Sequence, residues 1–271
     1  MTDQEFDYIR KLLKNRCAIA LEPGKEYLVE ARLTPVVRQL NLNSISDLVT
    51  ELRADAKDAV FAQVVEAMVT TETSFFRDHN PFETLRKKIL PDLIKRRGEE
   101  RALSIWCAAC STGQEPYSLA LLIREHFPQL ADWKVSILAS DLSRDVLAKA
   151  EQGTYNQIEA NRGMPASLLV KYFDQRGTSW QLRPAIRNMV KFQEINLAQP
   201  WPFIPRMDLI MLRNVMIYFD VEAKKSILNR VSRLMRLDGY LLLGGSETTI
   251  NLVDCFKRMA ALKSGFYQLV G

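Results

Sequence analysis

Histidine is scarce in this sequence: His79 and His126 are the only two among 271 residues. A histidine-rich metal cluster and a serine–histidine–aspartate triad both depend on imidazoles placed beside other reactive groups. The composition therefore argues against a zinc enzyme and against a serine hydrolase, and we predict no metal site.

Cysteine is also sparse, at positions 17, 107, 110 and 255, so we expect reduced, buried thiols and no disulfide framework. Cys107 and Cys110, with Trp106, imitate the tryptophan–cysteine–x–x–cysteine signature of a thioredoxin-like site. In such a site the cysteine pair begins a helix, whose N-terminus lowers the pKa of the thiol. Here Pro116 fits the first turn of the next helix, so both cysteines precede that helix and a redox role is disfavoured.

Long apolar runs are missing as well. No stretch approaches the ~18 apolar residues of a membrane helix, and the opening MTDQEFDYIRKLLKN has no apolar signal-peptide core. We therefore expect a cytoplasmic protein that is not an integral membrane protein. No apolar surface repeat suggests an interface between copies, so we also expect a monomer.

The net charge of +5 is modest and is concentrated in two segments. Positions 86 to 101 hold seven basic and three acidic residues, and positions 171 to 191 hold five and one. Such a patch is either an ordinary solvated face or a surface for an acidic partner, whether protein or nucleic acid.

The first seventy residues have the periodicity of helices. Thr2 and Glu5 fit a capping box, and three further helical patterns follow over 28–40, from Ser46, and over 60–68. We predict a small all-α domain over residues 1–70. Polar and aromatic residues then break the periodicity, which predicts a linker over residues 71–90.

From residue 100, strand and helix patterns alternate, which is typical of an α/β domain with a parallel sheet. Four short apolar runs predict strands: ALSIWCAA, KVSILASD, MDLIMLRN and GYLLLGGS. The segment GTSWQLRPAIRNMVKFQ alternates like a hairpin. We therefore predict one domain over residues 91–271, with a small antiparallel element inserted at about 176–193.

A loop of small residues, 108–113, follows the first predicted strand and precedes a helix. In a doubly wound sheet a nucleotide-like ligand binds at this crossover. The glycine patterns of dinucleotide and P-loop sites are missing, so no phosphate is expected there. Asp141 ends the next strand and either accepts hydrogen bonds from a ribose or caps the following helix. Glu115 either balances a helix dipole or contacts the ligand.

Five motifs occur in the order FFRD, AACSTGQEPYS, LASDLS, FQEINL and RNVMIYFD. With them the chain resembles the chemotaxis receptor methyltransferase family, CheR, over essentially its whole length. The resemblance implies an α/β fold, in which a Rossmann-like S-adenosyl-L-methionine (AdoMet) domain carries a small inserted antiparallel β-subdomain and follows a small all-α domain. It implies methyl transfer to glutamate γ-carboxylates on the cytoplasmic helices of methyl-accepting chemoreceptors, with S-adenosyl-L-homocysteine as product.

The resemblance also implies the residues that bind the cofactor, which lie in the linker, at the strand ends and in the later motifs: Thr71, Thr73, Arg77, Glu115, Asp141, Asn196, Leu197, Asn214 and Val215. At the position of Thr71 relatives often have asparagine, so this sequence departs from the family pattern there.

This chemistry explains the scarcity of histidine, because a glutamate is already ionised near pH 7 and attacks a methyl group without a general base. An arginine in loose contact would orient the substrate carboxylate, whereas a tight bidentate pair would weaken the nucleophile. The candidates are Arg77, Arg96 and Arg97, with Tyr218 as a hydrogen-bond donor. Arg96 and Arg97 fit an exposed basic face equally well, and Tyr218 also fits a structural role.

Two surfaces are candidates for receptor binding. One is the second helix of the all-α domain, with Lys25, Arg32 and Arg38. The other is the inserted hairpin, with Trp180, Arg183, Arg187 and Lys191. In some family members such a subdomain binds the C-terminal peptide of the receptor by strand addition.

Two alternative functions remain at this stage. The pI of about 9.0 also fits a nucleic-acid methyltransferase. However, RNVMIY stands where an amino-methylating enzyme would have an Asn/Asp-Pro-Pro-aromatic loop, so we expect no nucleic-acid partner. The second alternative is a non-catalytic AdoMet-binding module that tethers receptors, and the intact Arg77, Glu115 and Asp141 argue against it.

Overall fold

The computed structural model describes residues 1–54, 58–262 and 264–270. The chain opens with four helices: α1 (Asp3–Cys17), α2 (Glu26–Gln39), α3 (Ile45–Arg53) and α4 (Asp58–Met68). The capping box of α1 is present, because the Thr2 side chain accepts from the Glu5 N–H and the Glu5 carboxylate accepts from the Thr2 N–H. Apolar side chains of all four helices form a core of their own. The predicted all-α start of the chain is confirmed.

Strands and helices alternate after the linker. They are α5 (Asn80–Thr84), α6 (Leu90–Arg96), β1 (Ala102–Ala108), α7 (Gln114–His126), β2 (Lys134–Asp141), α8 (Arg144–Gln152), β3 (Thr154–Asn156), α9 (Gln157–Asn161), α10 (Ala166–Tyr172), β4 (Phe173–Arg176), β5 (Ser179–Leu182), α11 (Pro184–Arg187), β6 (Val190–Glu194), β7 (Met207–Leu212), α12 (Val221–Leu234), β8 (Met235–Leu243), β9 (Phe256–Arg258) and β10 (Phe266–Leu269). A π-helical turn, Leu85–Ile89, joins α5 to α6, and short 3-10 turns lie at Pro128–Leu130, Met216–Tyr218 and Ala260–Leu262.

The main sheet has the strand order β6-β2-β1-β7-β8-β10-β9. The strands from β6 to β8 are parallel, and β10 runs antiparallel to both β8 and β9. Two apolar cores cover the two faces of the sheet. The sheet is therefore doubly wound, and a ligand is expected outside the carboxyl ends of its parallel strands.

The inserted antiparallel element is a three-stranded sheet in the order β3-β5-β4, so it spans residues 154–182. The prediction of about 176–193 was therefore wrong in its bounds. Strand β6, within that range, pairs in parallel with β2 and belongs to the main sheet. Because β6 is an edge strand with one exposed face, its side chains alternate like those of a hairpin.

The predicted position of the cysteine pair is confirmed. Cys107 lies in β1, Cys110 lies in the following loop, and α7 begins only at Gln114, with Pro116 in its first turn. Burial raises the pKa of both thiols well above the ordinary value. A reactive disulfide site needs the opposite shift, so the two cysteines are core residues.

The basic segment 86–101 uses much of its charge within the chain. Arg86 and Lys87 pair with Glu83, and Arg101 pairs with Asp132. A solvated face with internal partners therefore describes this segment better than an open basic patch. In the described part of the chain, no helix combines the length and apolar character needed to cross a membrane.

Candidate active site

A cleft opens at the carboxyl ends of β1, β2 and β7, between these strands and the all-α domain. The loops that follow the strands form its floor, and the linker and the end of α1 form a wall. Most of the predicted site residues line it together: Thr73, Arg77, Glu115, Asp141, Asn196, Leu197, Asn214, Val215 and Tyr218.

The loop after β1 turns sharply through left-handed backbone at Ala109, Ser111 and Gly113. Position 113 favours glycine, because its φ of 92° is strained for other residues and a Cβ there would lie 3.0 Å from the Ala150 Cβ and 3.2 Å from the Tyr155 hydroxyl. That hydroxyl donates to the Thr112 carbonyl at 2.8 Å. The inserted sheet, through Tyr155 on β3, thus helps to shape this loop.

Asp141, at the end of β2, holds the same loop. Its Oδ2 accepts from the Ser111 N–H at 2.8 Å, and its Oδ1 accepts from the Ser143 N–H at 3.1 Å. Burial raises the pKa of Asp141, and these backbone hydrogen bonds act against that rise. The side chain that caps α8 is Ser143, whose hydroxyl accepts from the Val146 N–H. Asp141 is therefore not the helix cap, and its oxygens retain capacity to accept further hydrogen bonds in the cleft.

Glu115 lies in the first turn of α7 and contacts a buried arginine. Its Oε2 accepts from Nη1 of Arg213 at 2.7 Å. Nη2 of Arg213 donates to Oδ2 of Asp78 at 2.7 Å and to the carbonyl of Arg77 at 3.1 Å. Burial raises the pKa of Glu115, and the Arg213 guanidinium opposes the rise. The site therefore holds a partly buried acid next to a buried arginine that also fixes the linker.

Arg213 and Glu247 were missed by the sequence prediction. Arg213 directly follows the apolar strand MDLIML, and a charge at that point was the available signal. The Glu247 carboxylate accepts from the backbone N–H groups of Asn214, Val215 and Met216. No local sequence pattern indicates Glu247, because these three donors lie some thirty residues earlier in the chain.

The all-α domain closes one side of the cleft. The Asn196 amide donates to the carbonyl of Arg16 at 2.7 Å and accepts from the Ala198 N–H at 2.9 Å. The Ala20 N–H donates to the Tyr218 carbonyl at 2.9 Å. The amide nitrogen of Asn196 thus links the two domains at the cleft, and its oxygen holds the local turn.

In the linker, Thr73 and Arg77 line the cleft, and Arg77 is half-buried with Nη1 on the carbonyl of Glu72 at 3.1 Å. Thr71 is exposed and, among the described residues, is not part of the lining. Its carbonyl accepts from the Ser111 hydroxyl at 3.0 Å. Thr71 therefore supports the loop after β1, residues 108–113, from outside the cleft; we call this the cofactor loop.

Arg96 and Arg97 were predicted as candidates for orienting the substrate, but they lie at the amino ends of the strands, opposite the cleft. Arg96 pairs with Asp92 and donates to the carbonyl of Asp238. Arg97 is buried and binds Asp208 and Asp238, which lie near the amino ends of β7 and β8. Because α6 precedes β1, its last residues meet the amino ends of the strands, away from the cleft.

Two family models match the chain. The all-alpha domain of CheR methyltransferase matches residues 4–69, and the SAM binding domain of CheR methyltransferase matches residues 71–264.

No cluster of three or more metal-ligating side chains occurs in the described ranges.

Curated relatives agree with these models over nearly the full length. Chemotaxis protein methyltransferase 1 of Pseudomonas aeruginosa is 40% identical over 257 residues, 93% of each chain. Chemotaxis protein methyltransferase Cher2 of Pseudomonas putida is 37% identical over 268 residues, 97% of each chain.

Among solved structures, the glycopeptide N-methyltransferase MtfA complexed with sinefungin matches with a TM-score of 0.36 at 11% identity. The match covers 65% of this chain and 52% of that one. A likeness of this size carries no argument about function. The two family models and the near-full-length relatives are decisive: the chain belongs to the CheR methyltransferase family and carries its AdoMet-binding domain.

Proposed function

We propose that this protein methylates glutamate γ-carboxylates on the cytoplasmic helices of chemoreceptors, working in the cytoplasm to tune chemotactic adaptation. The observation that carries the proposal is the set of groups in the cleft. Glu115 and Asp141, both partly buried, lie in the same cleft as Arg77 and Tyr218, and neither His79 nor His126 lines it. A cleft without imidazole suits a substrate that is already an anion. The names of the relatives support the same reaction.

The residues present fit AdoMet. Glu115 is a partly buried acid suited to an ammonium group, and Asp141 keeps acceptor capacity for ribose hydroxyls. Leu142 and Leu197 offer apolar surface for a purine ring. The loop after β1 has no lysine for a phosphate, and AdoMet carries no phosphate. Asn214 and Val215 complete the set that would hold the cofactor.

Bound AdoMet supplies an electrophilic methyl group on a sulfonium. The chain has no proton to remove from an ionised carboxylate, so its contribution is positioning, which can supply roughly 7 to 11 kcal/mol. Arg77 is half-buried at the cleft, where its guanidinium would orient the substrate carboxylate. Tyr218 would donate a hydrogen bond to the same group.

For the receptor surface, the structure narrows the candidates on α2. Arg32 donates to the carbonyl of Met68 and to the Thr70 hydroxyl, so it holds the linker. Lys25, which directly precedes α2, and Arg38 within α2 are therefore the residues that we propose for an acidic receptor helix.

In the inserted sheet, the proposed peptide-binding side chains have internal partners. Trp180 donates to Gln157, and Arg183 pairs with Asp174. A receptor C-terminal peptide would therefore have to add along the backbone of an edge strand, and β4 is one such edge with exposed residues.

The experiment offers the protein methyl-labelled AdoMet together with a chemoreceptor cytoplasmic fragment and a mixture of RNA and DNA, followed by mild alkali. Carboxyl methyl esters hydrolyse to volatile methanol, whereas N- and C-methyl groups are stable. We expect label in the receptor that is released as methanol. The Arg96→Ala variant serves as a control with unchanged transfer, because Arg96 lies outside the cleft.

Two results would contradict the proposal. Alkali-stable label in the nucleic acid would identify a nucleic-acid methyltransferase. Binding of AdoMet and receptor without any transfer would identify a non-catalytic tethering module.

A further inference from the structure

The carboxylate of Glu247 is buried and wholly engaged by the backbone. Glu247 is 9% exposed. Oε2 accepts from the N–H groups of Asn214 at 2.8 Å and Gly244 at 2.7 Å, and Oε1 accepts from those of Val215 at 2.9 Å and Met216 at 2.7 Å. A carboxylate offers about four lone-pair sites. Backbone donors therefore use its full acceptor capacity.

The donors belong to two neighbouring strands. Three successive N–H groups follow β7, in a turn where Asn214 has left-handed backbone with φ 58° and Met216–Tyr218 form a 3-10 turn. The fourth donor, Gly244, follows β8. Successive N–H groups that converge on one point form a concavity for an anion. Glu247 supplies that anion from within the chain and ties the two strand ends together.

Gly244 is shaped for this carboxylate. A Cβ at position 244 would lie 2.6 Å from Oε2 of Glu247 and 2.9 Å from the Asn214 nitrogen. No side chain fits there unless the carboxylate or the turn moves. The absence of a side chain at 244 and the charge at 247 are thus two parts of one arrangement.

The turn that Glu247 holds is part of the cleft. Asn214, Val215 and Tyr218 all line it. We propose that Glu247 is a positioning residue for the cofactor: without touching AdoMet, it sets the shape of the 214–218 turn and so the affinity of the site. The inference depends on the AdoMet-binding part of the proposed function and does not depend on the receptor.

Strand β7, which precedes the 214–218 turn, offers a matched control residue at its amino end. Asp208 in β7 is 1% exposed, and its carboxylate accepts from the Ser104 N–H at 2.8 Å and from Nε of Arg97 at 2.6 Å. Glu247→Gln and Asp208→Asn each replace a buried carboxylate with an amide of the same shape, whose NH2 group faces a donor. Both variants should lower the melting temperature, because both leave buried donors without an acceptor.

The test measures the dissociation constant for S-adenosyl-L-homocysteine by calorimetry, on the full chain and at a temperature where each variant is folded. We expect Glu247→Gln to weaken binding by at least about tenfold, which corresponds to about 1.4 kcal/mol. Asp208→Asn should change it by less than about twofold. Glu247→Asp, which keeps the charge but shortens the reach, should give an intermediate value.

Gly244→Ala provides a second variant if Glu247→Gln does not fold, since the added methyl displaces the carboxylate without removing it. It should weaken binding in the same direction. Wild-type affinity in Glu247→Gln or in Gly244→Ala, with only a lower melting temperature, would overturn the inference. Equal weakening in Asp208→Asn would also overturn it.

These outcomes are separate from failure of the proposed function. A wild-type protein that binds S-adenosyl-L-homocysteine but methylates no receptor would refute glutamate methylation and leave the role of Glu247 testable by binding. A wild-type protein that does not bind it would refute both.

Discussion

The two ends of the parallel sheet each carry a buried arginine with carboxylate partners. At the amino ends of the strands Arg97, 5% exposed, binds Asp208 and Asp238. At the carboxyl ends Arg213, 4% exposed, binds Glu115 and Asp78. The two networks are alike in that each buried arginine pairs with two carboxylates.

Their surroundings differ. Arg97 uses Nε and both Nη atoms on carboxylates. Arg213 lines the cleft, and its buried Nε has no partner within the part of the chain that the structure describes. Burial raises the pKa of Glu115, whereas the Arg97 guanidinium lowers the pKa of Asp238. Arg236, beside Asp208 at the amino ends, also has a buried Nε without a hydrogen-bond partner among the described residues. The position of Arg213 in the cleft, and not the unpaired Nε by itself, therefore distinguishes the carboxyl ends as the place for a ligand.

The largest effect should come from replacing the two arginines. Arg213→Met leaves Glu115 as a buried charge without its partner, a change that typically costs about 3 to 5 kcal/mol. We expect loss of S-adenosyl-L-homocysteine binding and of methyl transfer. Arg97→Met should also lower the melting temperature, but folded protein should keep its kcat/KM. Calorimetry and initial rates on both variants decide this, and lost affinity in Arg97→Met would remove the distinction between the two ends.

The next effect concerns the arginines of the two regions that are not fully buried, half-buried Arg77 and exposed Arg96. Arg77→Ala should reduce methyl transfer by about 100-fold, the size expected when a reacting group is misplaced by about 1 Å. Its fold should stay intact, because Arg77 makes one side-chain hydrogen bond, to the Glu72 carbonyl, among those the structure describes. Arg96→Ala is the control with an unchanged rate. An unchanged rate in Arg77→Ala would remove that residue from the site.

As the pH falls, Glu115 at the carboxyl ends of the strands should lose its charge before Asp238 at the amino ends does. The raised pKa of Glu115 means that its ionised form is lost at a higher pH than that of an ordinary glutamate. The ion pair of Asp238 contributes stability above the ordinary pKa of 3.8 and loses it only as pH falls through its lowered pKa. Between about pH 8 and 4, affinity for S-adenosyl-L-homocysteine should therefore fall before the protein unfolds.

Calorimetry and thermal melts over the same pH range measure this order. Glu115→Gln should have weak affinity with a smaller dependence on pH, because Asp141, whose pKa burial also raises, remains in the cleft. Affinity that falls only together with unfolding would mean that Glu115 does not bind the ammonium group.

The smallest effect should separate two buried tyrosines. Tyr155 donates to the Thr112 carbonyl in the cofactor loop at 2.8 Å, and Tyr117 donates to the Ala150 carbonyl in α8 at 2.7 Å. Tyr155→Phe removes the hydroxyl donor of the Thr112 carbonyl and should cost about 1 to 3 kcal/mol of stability. The Ala150 carbonyl still accepts from the Gly153 N–H at 3.0 Å, so Tyr117→Phe should cost less. Tyr155→Phe alone should also weaken S-adenosyl-L-homocysteine binding, by about threefold. Equal affinities in the two variants would show that the inserted sheet does not support the loop.

The strands that form the cleft could be predicted from the sequence because local pattern decides them. Each apolar run in β1, β2, β7 and β8 is bounded by polar or glycine residues, and Asp141 ends one of these runs. The bounds of the insert were wrong because the exposed face of an edge strand and a hairpin give the same alternation. Arg213 and Glu247 were missed because their roles depend on partners far apart in the chain.

The sequence also could not separate Arg77 from Arg96. Both are arginines in polar segments near the start of the sheet domain, and only the direction of α6 relative to β1 places Arg96 at the amino ends. The contact between the Asn196 amide and the carbonyl of Arg16 could not be predicted either, because the two residues lie in different domains.

The most direct test of the difference between the two ends is a crystal structure of the full chain with S-adenosyl-L-homocysteine. The account predicts the ligand in the cleft at the carboxyl ends, with its ammonium group on Glu115 and its ribose hydroxyls on Asp141. It also predicts no change in the contacts of Arg97 with Asp208 and Asp238. A ligand bound elsewhere, or one that contacts neither Glu115 nor Asp141, would contradict the account.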